Sequence, residues 1–390
     1  MKICHVCSGH TDDDSRVFHK ECLSLAQAGY EVHLVATGTQ KSSSPSNQII
    51  YHPLSTCKSR RERLSRCWSV ATLATTIDAD LYHVHEPDLL GPVLARSRGK
   101  PVIFDAHESY LDVIYSREWI PRSARPFVKW GWDLIERQLI KRCAAVVCAT
   151  TDIATRYHPL NSRVVAVQNF TDVASETNGK VTPVRDTHTC VFAGSMKPDR
   201  NIAGVVRALG ILRHRGIEAR LRLAGSWATD YQSEIFSLAE REKVTDQVEY
   251  LGILSRDEAV SLQAAATLGL NVSLPSPNGV LGFPIKMVEC MAVGTPVIYS
   301  DIPSFRRIAG SVEAGIAVDP FAPGQIADAI ALLFGNPDLA RRLGDNGRKA
   351  VREQFNWEIE SKKLLALYRD ILNRSADAEK LYAEQQPVSL

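Results

Sequence analysis

The sequence predicts an α/β protein built from two doubly wound domains in tandem. Three observations carry the prediction. A chain of 390 residues exceeds what one hydrophobic core usually organises. Short apolar runs alternate with amphipathic stretches in two separate series, the signature of parallel strands joined by crossover helices. The alternation stops once, between Asn169 and Asp186.

The first series opens on Ile3 to Cys7, continues with a helical pattern from about Ser15 to Ala28, and turns at Gly29 into a strand from Glu31 to Ala36. Further strand-like runs are Leu81 to Val84, Pro101 to Phe104, Ala144 to Cys148 and Val164 to Val167. Thr, Asp, Ser, Asn, Gly and Pro dominate Thr171 to Pro183, which reads as an interdomain linker. The second series follows at Cys190 to Ala193, Leu221 to Ala224, Val248 to Leu251, Leu268 to Val272 and Pro296 to Tyr299. After Val318 the pattern is helical, ending in a helix at about Trp357 to Asn373 and a polar tail from Ser375. The expected domains are therefore 1–172 and 173–356, with the 357–373 helix expected to pack back on the first.

Lys plus Arg total 46 against 44 for Asp plus Glu, a balance that gives no bulk field to argue for nucleic acid, so no nucleic-acid partner is expected and any basic surface is local. No apolar run reaches the roughly 18 to 20 residues that span a bilayer. The apolar start meets Asp12 too early for a signal peptide, so a cytoplasmic location is expected. The nine cysteines are scattered and read as small buried hydrophobes. Cys4 and Cys7 sit three apart in a strand, on opposite faces, which argues against a metal or redox pair.

The most informative segment runs from Pro275 to Ile298. A Gly/Pro-rich loop enters a helix at Pro284, a residue pre-set for the first helical turn, and Gly294 ends that helix before the next strand. Free N–H groups and the positive end of a helix dipole then stand at the carboxyl edge of a parallel sheet, where a diphosphate binds well. Lys286 and Glu289 share one face of this helix. Either they form an ordinary surface ion pair, or Glu289 accepts from two ribose hydroxyls while Lys286 faces phosphate.

These residues resemble the retaining GT-B glycosyltransferases of glycosyltransferase family 4, in particular the branch with a Lys-x-x-Glu-x-Met-Ala-x-Gly-x-Pro-Val-Ile signature that builds bacterial surface polysaccharides. The resemblance covers nearly the whole chain: Asp14-Ser-Arg16-Val-Phe18-His-Lys20-Glu21, His83-Val-His85-Glu-Pro-Asp88, Phe104-Asp105-Ala-His107-Glu108 and Ala193-Gly194-Ser-Met-Lys197-Pro-Asp-Arg200 match its other motifs. It implies two Rossmann-like domains facing a central cleft. It also implies a nucleotide sugar held mainly by the second domain and transfer with retention to a sugar or lipid-linked acceptor. Arg, Lys and a helix N-terminus serve in place of a metal, and no cofactor is needed. The implied donor-binding residues are Gly194, Ser195, Lys197, Arg200, Asn278, Gly279, Lys286 and Glu289. His107, facing the donor sugar, Arg200 and Lys286 are the implied catalytic residues, with Asp14, Arg16, His85 and Glu108 on the acceptor side. The structural alternative for His107 is a histidine satisfied by Asp105 or backbone, and His85 and Glu108 have a structural reading as well.

Two departures bear on the donor. A second glutamate that many members carry eight positions before the ribose-binding one is Leu281 here, which shifts sugar recognition to neighbours such as Asn278 and Gly279. The common arginine after the loop glycine is Ser195, with Lys197 nearby as a replacement charge. A sugar-nucleotide epimerase of the same architecture, or a non-catalytic sugar-nucleotide-binding subunit, would share these features. Asp12-Asp13-Asp14 imitates the Asp-x-Asp metal site of the other major glycosyltransferase architecture, yet it precedes a helix whose N-terminus favours negative charge.

Two basic stretches, Lys58 to Arg66 and Arg117 to Arg142, the second with Trp119, Phe127, Trp130 and Trp132 interleaved, suit docking on an anionic membrane at its inner face. A solvated helix face packed on the core by its aromatics accounts for them equally well.

Overall fold

A computed structural model of the chain describes residues 1–38, 49–116, 120–170, 186–275 and 284–384. They divide into two compact units, one formed by Met1–Asn169 with the C-terminal segment from Glu358, the other by Phe170–Trp357.

The first unit is a seven-stranded parallel sheet made of β1 (Lys2–Thr11), β2 (Glu31–Thr37), β3 (Ile49–Leu54), β4 (Leu81–Val84), β5 (Val102–Ala106), β6 (Ala145–Cys148) and β7 (Val164–Ala166), in the order β3-β2-β1-β4-β5-β6-β7. The order reverses between β1 and β4, so the loops after these two strands part and open a crevice at their carboxyl ends. Strands β4, β5 and β6 are buried along their whole length, as strands covered on both faces must be. His5 of β1, His83 of β4 and Asp105 of β5 interrupt apolar runs and are fully buried, so each needs polar partners.

Two local features set up those partners. The helix expected from Ser15 begins as a π-helical turn, Val17–Cys22, before the α-helix Leu23–Gln27. The Glu21 N–H donates to Arg16 O at 3.0 Å, an i→i+5 bond that stacks Arg16 and Glu21 on one side. The C-terminal helix, Trp357–Glu384, packs on this unit: Glu360 Oε2 accepts from the Gln168 N–H (2.9 Å) and Tyr368 is fully buried, with its hydroxyl 2.6 Å from His83 Nδ1.

The second unit repeats the plan with β8 (Thr189–Ala193), β9 (Arg220–Ala224), β10 (Val248–Tyr250), β11 (Leu268–Asn271), β12 (Val297–Ser300) and β13 (Gly315–Val318), all parallel, in the order β10-β9-β8-β11-β12-β13. Its crevice lies at the ends of β8 and β11. Ile202, Val205, Val206, Leu209 and Leu212 of the helix Ile202–His214 are buried in the core beside Ile326, Ile330 and Leu333 of the helix Pro323–Gly335.

Two strands, β3 and β13, are absent from the sequence expectation. Both are edge strands. β3 is only half-buried and contains Pro53, which an edge tolerates and a central strand does not, so neither its pattern nor its composition signals a strand. All nine cysteines are free, and eight of them are buried. Burial pushes the Cys4 and Cys7 thiols well above the ordinary range, which leaves them unreactive.

Candidate functional site

In the second unit, β8 runs into Gly194 (φ +153°), whose N–H donates to Ala224 O (2.8 Å), and the Met196 N–H donates to Ser226 O (2.7 Å). A Cβ on Gly225 would stand 2.1 Å from Gly194 O, so the two loops meet backbone to backbone and only glycine fits. A Cβ on Gly194 would come within 3.4 Å of Lys286 Cε: the lysine stem lies across the glycine. Lys286 is the second residue of the helix Ile285–Ala292, whose start at Pro284 carries no side-chain cap; the Met287 and Val288 N–H groups donate to Pro284 O (3.0 and 3.3 Å), and among the described residues those of Ile285 and Lys286 meet no acceptor, as at any helix start. Lys286 Nζ donates to both Glu289 oxygens, at 3.2 and 3.1 Å. Glu289 also takes a 3.4 Å bond from Nε2 of Gln263, a buried residue.

Arg200 closes a 3₁₀ turn, Pro198–Arg200, that is pinned on both sides. Asp199 O accepts from the Leu274 N–H beyond β11 (2.8 Å). Asn201, in the left-handed region at φ 57°, accepts from the Gly204 N–H (3.1 Å) and donates to Pro320 O (2.7 Å). Among the described residues Arg200 has no ion-pair partner, and Ser195 and Lys197 are exposed. One helix start, a glycine turn and three cations therefore surround the crevice of this unit, a surface chemically suited to a phosphate group.

In the first unit the polar residues form one buried network. Arg16 donates to both Asp105 oxygens (Nη2 at 3.1 Å, Nε at 3.2 Å) and to Val167 O (2.8 Å), and its Nε stands 3.0 Å from Glu21 Oε1. Two buried carboxyl groups thus share one guanidinium, and their protonation separates. Burial, followed by the charge of Asp105, pushes Glu21 well up. Burial opposes the charge on Asp105 too, but Arg16 and His107 hold it well below the usual carboxylate range. Burial also keeps His5 and His83 neutral and brings His85 down to about 4. His85 Nδ1 and His107 Nε2 lie 3.5 and 3.3 Å from Asp105 Oδ2. His5 Nδ1 lies 2.9 Å from His85 Nε2. Glu86 shapes the neighbouring loop by accepting from the N–H groups of Ser8 (2.9 Å), Gly9 (2.6 Å) and His10 (3.1 Å).

His5, Glu21, His83 and His85 come close enough together to suggest metal ligands, as do His85, Asp105 and His107. A zinc ion with ligands at about 2.0–2.1 Å would hold them about 3.4 Å apart. Glu21 Oε2 stands 3.8–4.0 Å from the three imidazoles, and two of these face each other at 2.9 Å. In the first set this spacing suits neutral imidazoles hydrogen-bonded in series better than a common central ion; the second set is spaced at 3.1–3.5 Å, but Arg16 already occupies both oxygens of its carboxylate.

Comparison with known proteins agrees with both halves of this description. The family description "Glycosyltransferase Family 4" matches residues 15–175, and "Glycosyl transferases group 1" matches residues 175–350. This chain is a GT-B glycosyltransferase of family 4. It is 24% identical over 294 residues to the alpha-D-kanosaminyltransferase of Streptomyces kanamyceticus (72% of this chain, 73% of that one). It is 26% identical over 302 residues to the phosphatidyl-myo-inositol mannosyltransferase of Mycobacterium leprae (75% and 74%). Among solved structures, the sucrose-phosphate synthase of Thermosynechococcus elongatus aligns with TM-score 0.73 at 18% identity over 96% of this chain and 100% of that one. HepE of Anabaena in complex with UDP and glucose aligns with TM-score 0.73 at 14% identity over 95% and 100%. At these identities the structural likeness shows the fold alone.

Within this glycosyltransferase, the structure gathers Gly194, Lys286 and Glu289 at one crevice, with Ser195, Lys197 and Arg200 on the turn that follows β8. Asn278, Gly279 and Leu281 lie outside the described residues, as does Trp119. The acceptor-side set divides. Arg16 and His85 are buried at 4% and 0% exposure, because Arg16 is held by two carboxyl groups and His85 by Asp105 and His5, so neither presents a surface to an acceptor. Asp14 is partly exposed. It accepts through Oδ1 from the Arg16 and Val17 N–H groups (2.8 and 2.9 Å) and pairs through Oδ2 with His10 (2.9 Å), which makes it the cap of the π turn. His107 and Glu108 are partly exposed. Sequence reasoning gave no role to His5, Glu21, His83, Glu86 or Tyr368. The available signal was a histidine in the middle of each of two apolar strands.

Proposed function

We propose that this chain is a retaining, metal-independent glycosyltransferase that moves a sugar from a nucleoside-diphosphate donor, held on the second unit, to a hydroxyl of a sugar or lipid-linked acceptor in surface-polysaccharide or glycolipid synthesis. The observation that carries the reading is the Lys286 stem laid across Gly194 with Glu289 beside it. This puts a cation, a backbone turn and a carboxylate within reach of one diphosphate–ribose unit. The naming of relatives as kanosaminyl- and mannosyltransferases, and of a structural neighbour as bound to UDP and glucose, supports it.

In this reading Glu289 releases Lys286 to a phosphate oxygen and accepts the ribose hydroxyls. As the bond from sugar to phosphate breaks, negative charge grows on the diphosphate. Lys286, Arg200 and the first-turn N–H groups of the helix Ile285–Ala292 oppose that charge most strongly in a dry site. The departing phosphate oxygen takes the acceptor proton. His107 supplies the contact to the donor sugar that the family resemblance implies. The test is turnover of a panel of nucleotide sugars with candidate acceptors in excess chelator. Nucleoside diphosphate release is expected to require acceptor and to continue without divalent metal. Loss of turnover restored by magnesium or manganese would refute metal independence, and conversion of the nucleotide sugar without acceptor would make the chain an epimerase.

A membrane-bound acceptor is supported by a surface on the first unit. The helices Arg60–Thr76 and Arg125–Arg142 both pack against the helix Pro87–Arg96. They expose Leu64, Trp68, Phe127, Trp130 and Leu134 at 48–75%. Arg61 lies in line with Leu64 and Trp68, and Lys141 with Phe127, Trp130 and Leu134, at helical spacing. Both Arg61 and Lys141 are exposed. Arg63 is already paired with Asp88 (3.0 Å) and Arg137 with Asp133 (2.7 Å), so the expected basic face is thinner than the sequence suggests. No helix among the described residues is long and apolar enough to cross a membrane. Co-sedimentation with anionic vesicles is expected to weaken as salt rises, each basic residue contributing about 1 kcal/mol. Charge reversal at Arg61 and Lys141 should lower binding at low salt, and Phe127→Ala with Trp130→Ala should remove the salt-resistant part. Sedimentation of all three proteins to one extent would point to a diffusible acceptor.

A further inference from the structure

The first unit holds a pocket of about 330 Å³, at the lower end of the range for small-molecule sites. One wall is Ser8 of β1 with the last residues of β2 and β3, Thr37 and Leu54, all toward the carboxyl edge of the sheet, where ligands of such folds bind. The other wall is the helix Arg60–Thr76, through Arg63, Arg66, Ser69, Val70 and Leu73, at the spacing of one helix face.

The two arginines are used differently. Arg66 Nη1 donates to Ser55 O (3.2 Å) and Oγ (2.8 Å), and its Nη2 pairs with Glu62 (2.6 Å), so this guanidinium is spent on tying the loop after β3 to the helix. Arg63 is held only from behind: its Nε stands 3.0 Å from Asp88, a carboxylate 7% exposed that also accepts from the Ser8 hydroxyl (3.3 Å). A Cβ on Gly9 would lie 3.0 Å from Arg63 Nη1, which lays the fork across that glycine. Glu86, the other carboxyl group beside Gly9, is turned to the N–H groups of Ser8, Gly9 and His10. Among the described residues neither Nη of Arg63 meets a hydrogen-bond acceptor. Donors on a rigid plane match a carboxylate or phosphate. The hydroxyls of Ser55 and Ser69, facing apolar Leu54, Val70 and Leu73, suit a sugar ring with its polar edge and its C–H face.

We propose that this pocket is the acceptor site and that it takes a sugar bearing an oxyanion, a uronate or a sugar phosphate, with Arg63 gripping the charged group. Its role as acceptor site rests on the transferase reading; the binding of an acidic sugar does not.

Cys57 lies on the pocket wall and is half-buried, whereas the other eight cysteines are buried, so a thiol reagent marks the pocket without any turnover. Alkylation of Cys57 in the full chain, followed by mass spectrometry, is expected to slow about tenfold when glucuronate or glucose 1-phosphate reaches about ten times its dissociation constant. Glucose, or sodium chloride at the same ionic strength, should not slow it. Whichever acidic sugar protects at lower concentration identifies the group. Arg63→Gln keeps a donor for Asp88 and should leave alkylation of the free protein unchanged, while protection should need about 10- to 100-fold more of either acidic sugar. Ser69→Phe narrows the pocket without altering charge and should weaken protection relative to its own free rate. With a donor that turns over, Arg63→Gln should raise KM for the charged acceptor by the same factor and leave kcat nearly unchanged. Equal protection by glucose, protection by neither acidic sugar, or variants protected as well as wild type would overturn the proposal, and an unchanged KM would overturn the acceptor role. Failure to find sugar transfer with any acceptor would instead remove the transferase reading, and alkylation would still decide whether the pocket takes an acidic sugar.

Discussion

Glu289→Ala is expected to lose about 100-fold or more in affinity for the donor nucleotide while the fold survives. Two hydroxyl bonds to a carboxylate contribute about 1.5–3 kcal/mol each, and the sum corresponds to two or more decades in the dissociation constant. The cost to the fold is small because Glu289 keeps 16% of its side chain exposed and its ion pair with Lys286, itself 47% exposed, lies at the surface, where such pairs contribute about 0–1 kcal/mol. Its other partner, Gln263, loses only a long 3.4 Å bond. Calorimetric titration of the purified variant with nucleoside diphosphates, beside its melting curve, checks both halves. Unchanged affinity would remove Glu289 from the site, and a collapsed melting transition would make it a core residue. Lys286→Ala separates the two charges: it should weaken diphosphate more than the free nucleoside, since only the former presents phosphate to the ammonium.

How far the sequence reaches is shown by the two crevices. The central strands of both sheets are legible because they are continuous apolar runs bounded by turn residues, and the helix Ile285–Ala292 because Pro284 and Gly294 bracket it. The edge strands Ile49–Leu54 and Gly315–Val318 carry no such pattern, since an edge needs neither full burial nor a donor at every residue. In the second crevice the Lys286–Glu289 spacing is readable from helical periodicity, but the passage of the lysine over Gly194 joins residues 92 apart in sequence and depends on how β8 and β11 pair. In the first, motif resemblance picks out Arg16, His85 and His107 without saying which of them reaches the surface. Burial decides that, and burial follows from the π turn that points Arg16 inward and from the alternation of β4, which sends His83 and His85 to one face. Tyr368 was unreadable for a different reason: its partner is 285 residues away, and nothing in the pattern of the last helix distinguishes this position from an ordinary core tyrosine.

Arg16→Leu and Glu21→Gln should separate the two carboxyl groups that share a guanidinium. Removing Arg16 leaves the anion of Asp105 without its counter-charge in a fully buried place, a change that costs about 3–5 kcal/mol in such sites. For a unit of this size it should lower the melting temperature by about 6–20 °C, with exchange of the buried β5 amides rising in step. Glu21→Gln should do the opposite as pH rises. The folded-state pKa of Glu21 is raised above its ordinary value of 4.5 by burial and by Asp105, so above that pH the unfolded chain binds fewer protons than the folded one at this position. Stability from this group therefore falls as pH increases, by the linkage between proton binding and folding. Asp105 has the reverse sign: its folded pKa lies below 3.8, so its contribution is complete above that value and is lost only as pH falls through the lower, folded one. The glutamine variant keeps the neutral shape of protonated Glu21 and discards its titration. Its stability relative to wild type should accordingly be near zero at pH 4.5 and grow in favour of the variant between pH 5 and 8, read from chemical denaturation across that range. A difference that stays flat with pH, or that favours wild type increasingly at high pH, would show that Glu21 is ionised in the fold and that Arg16 neutralises it in preference to Asp105.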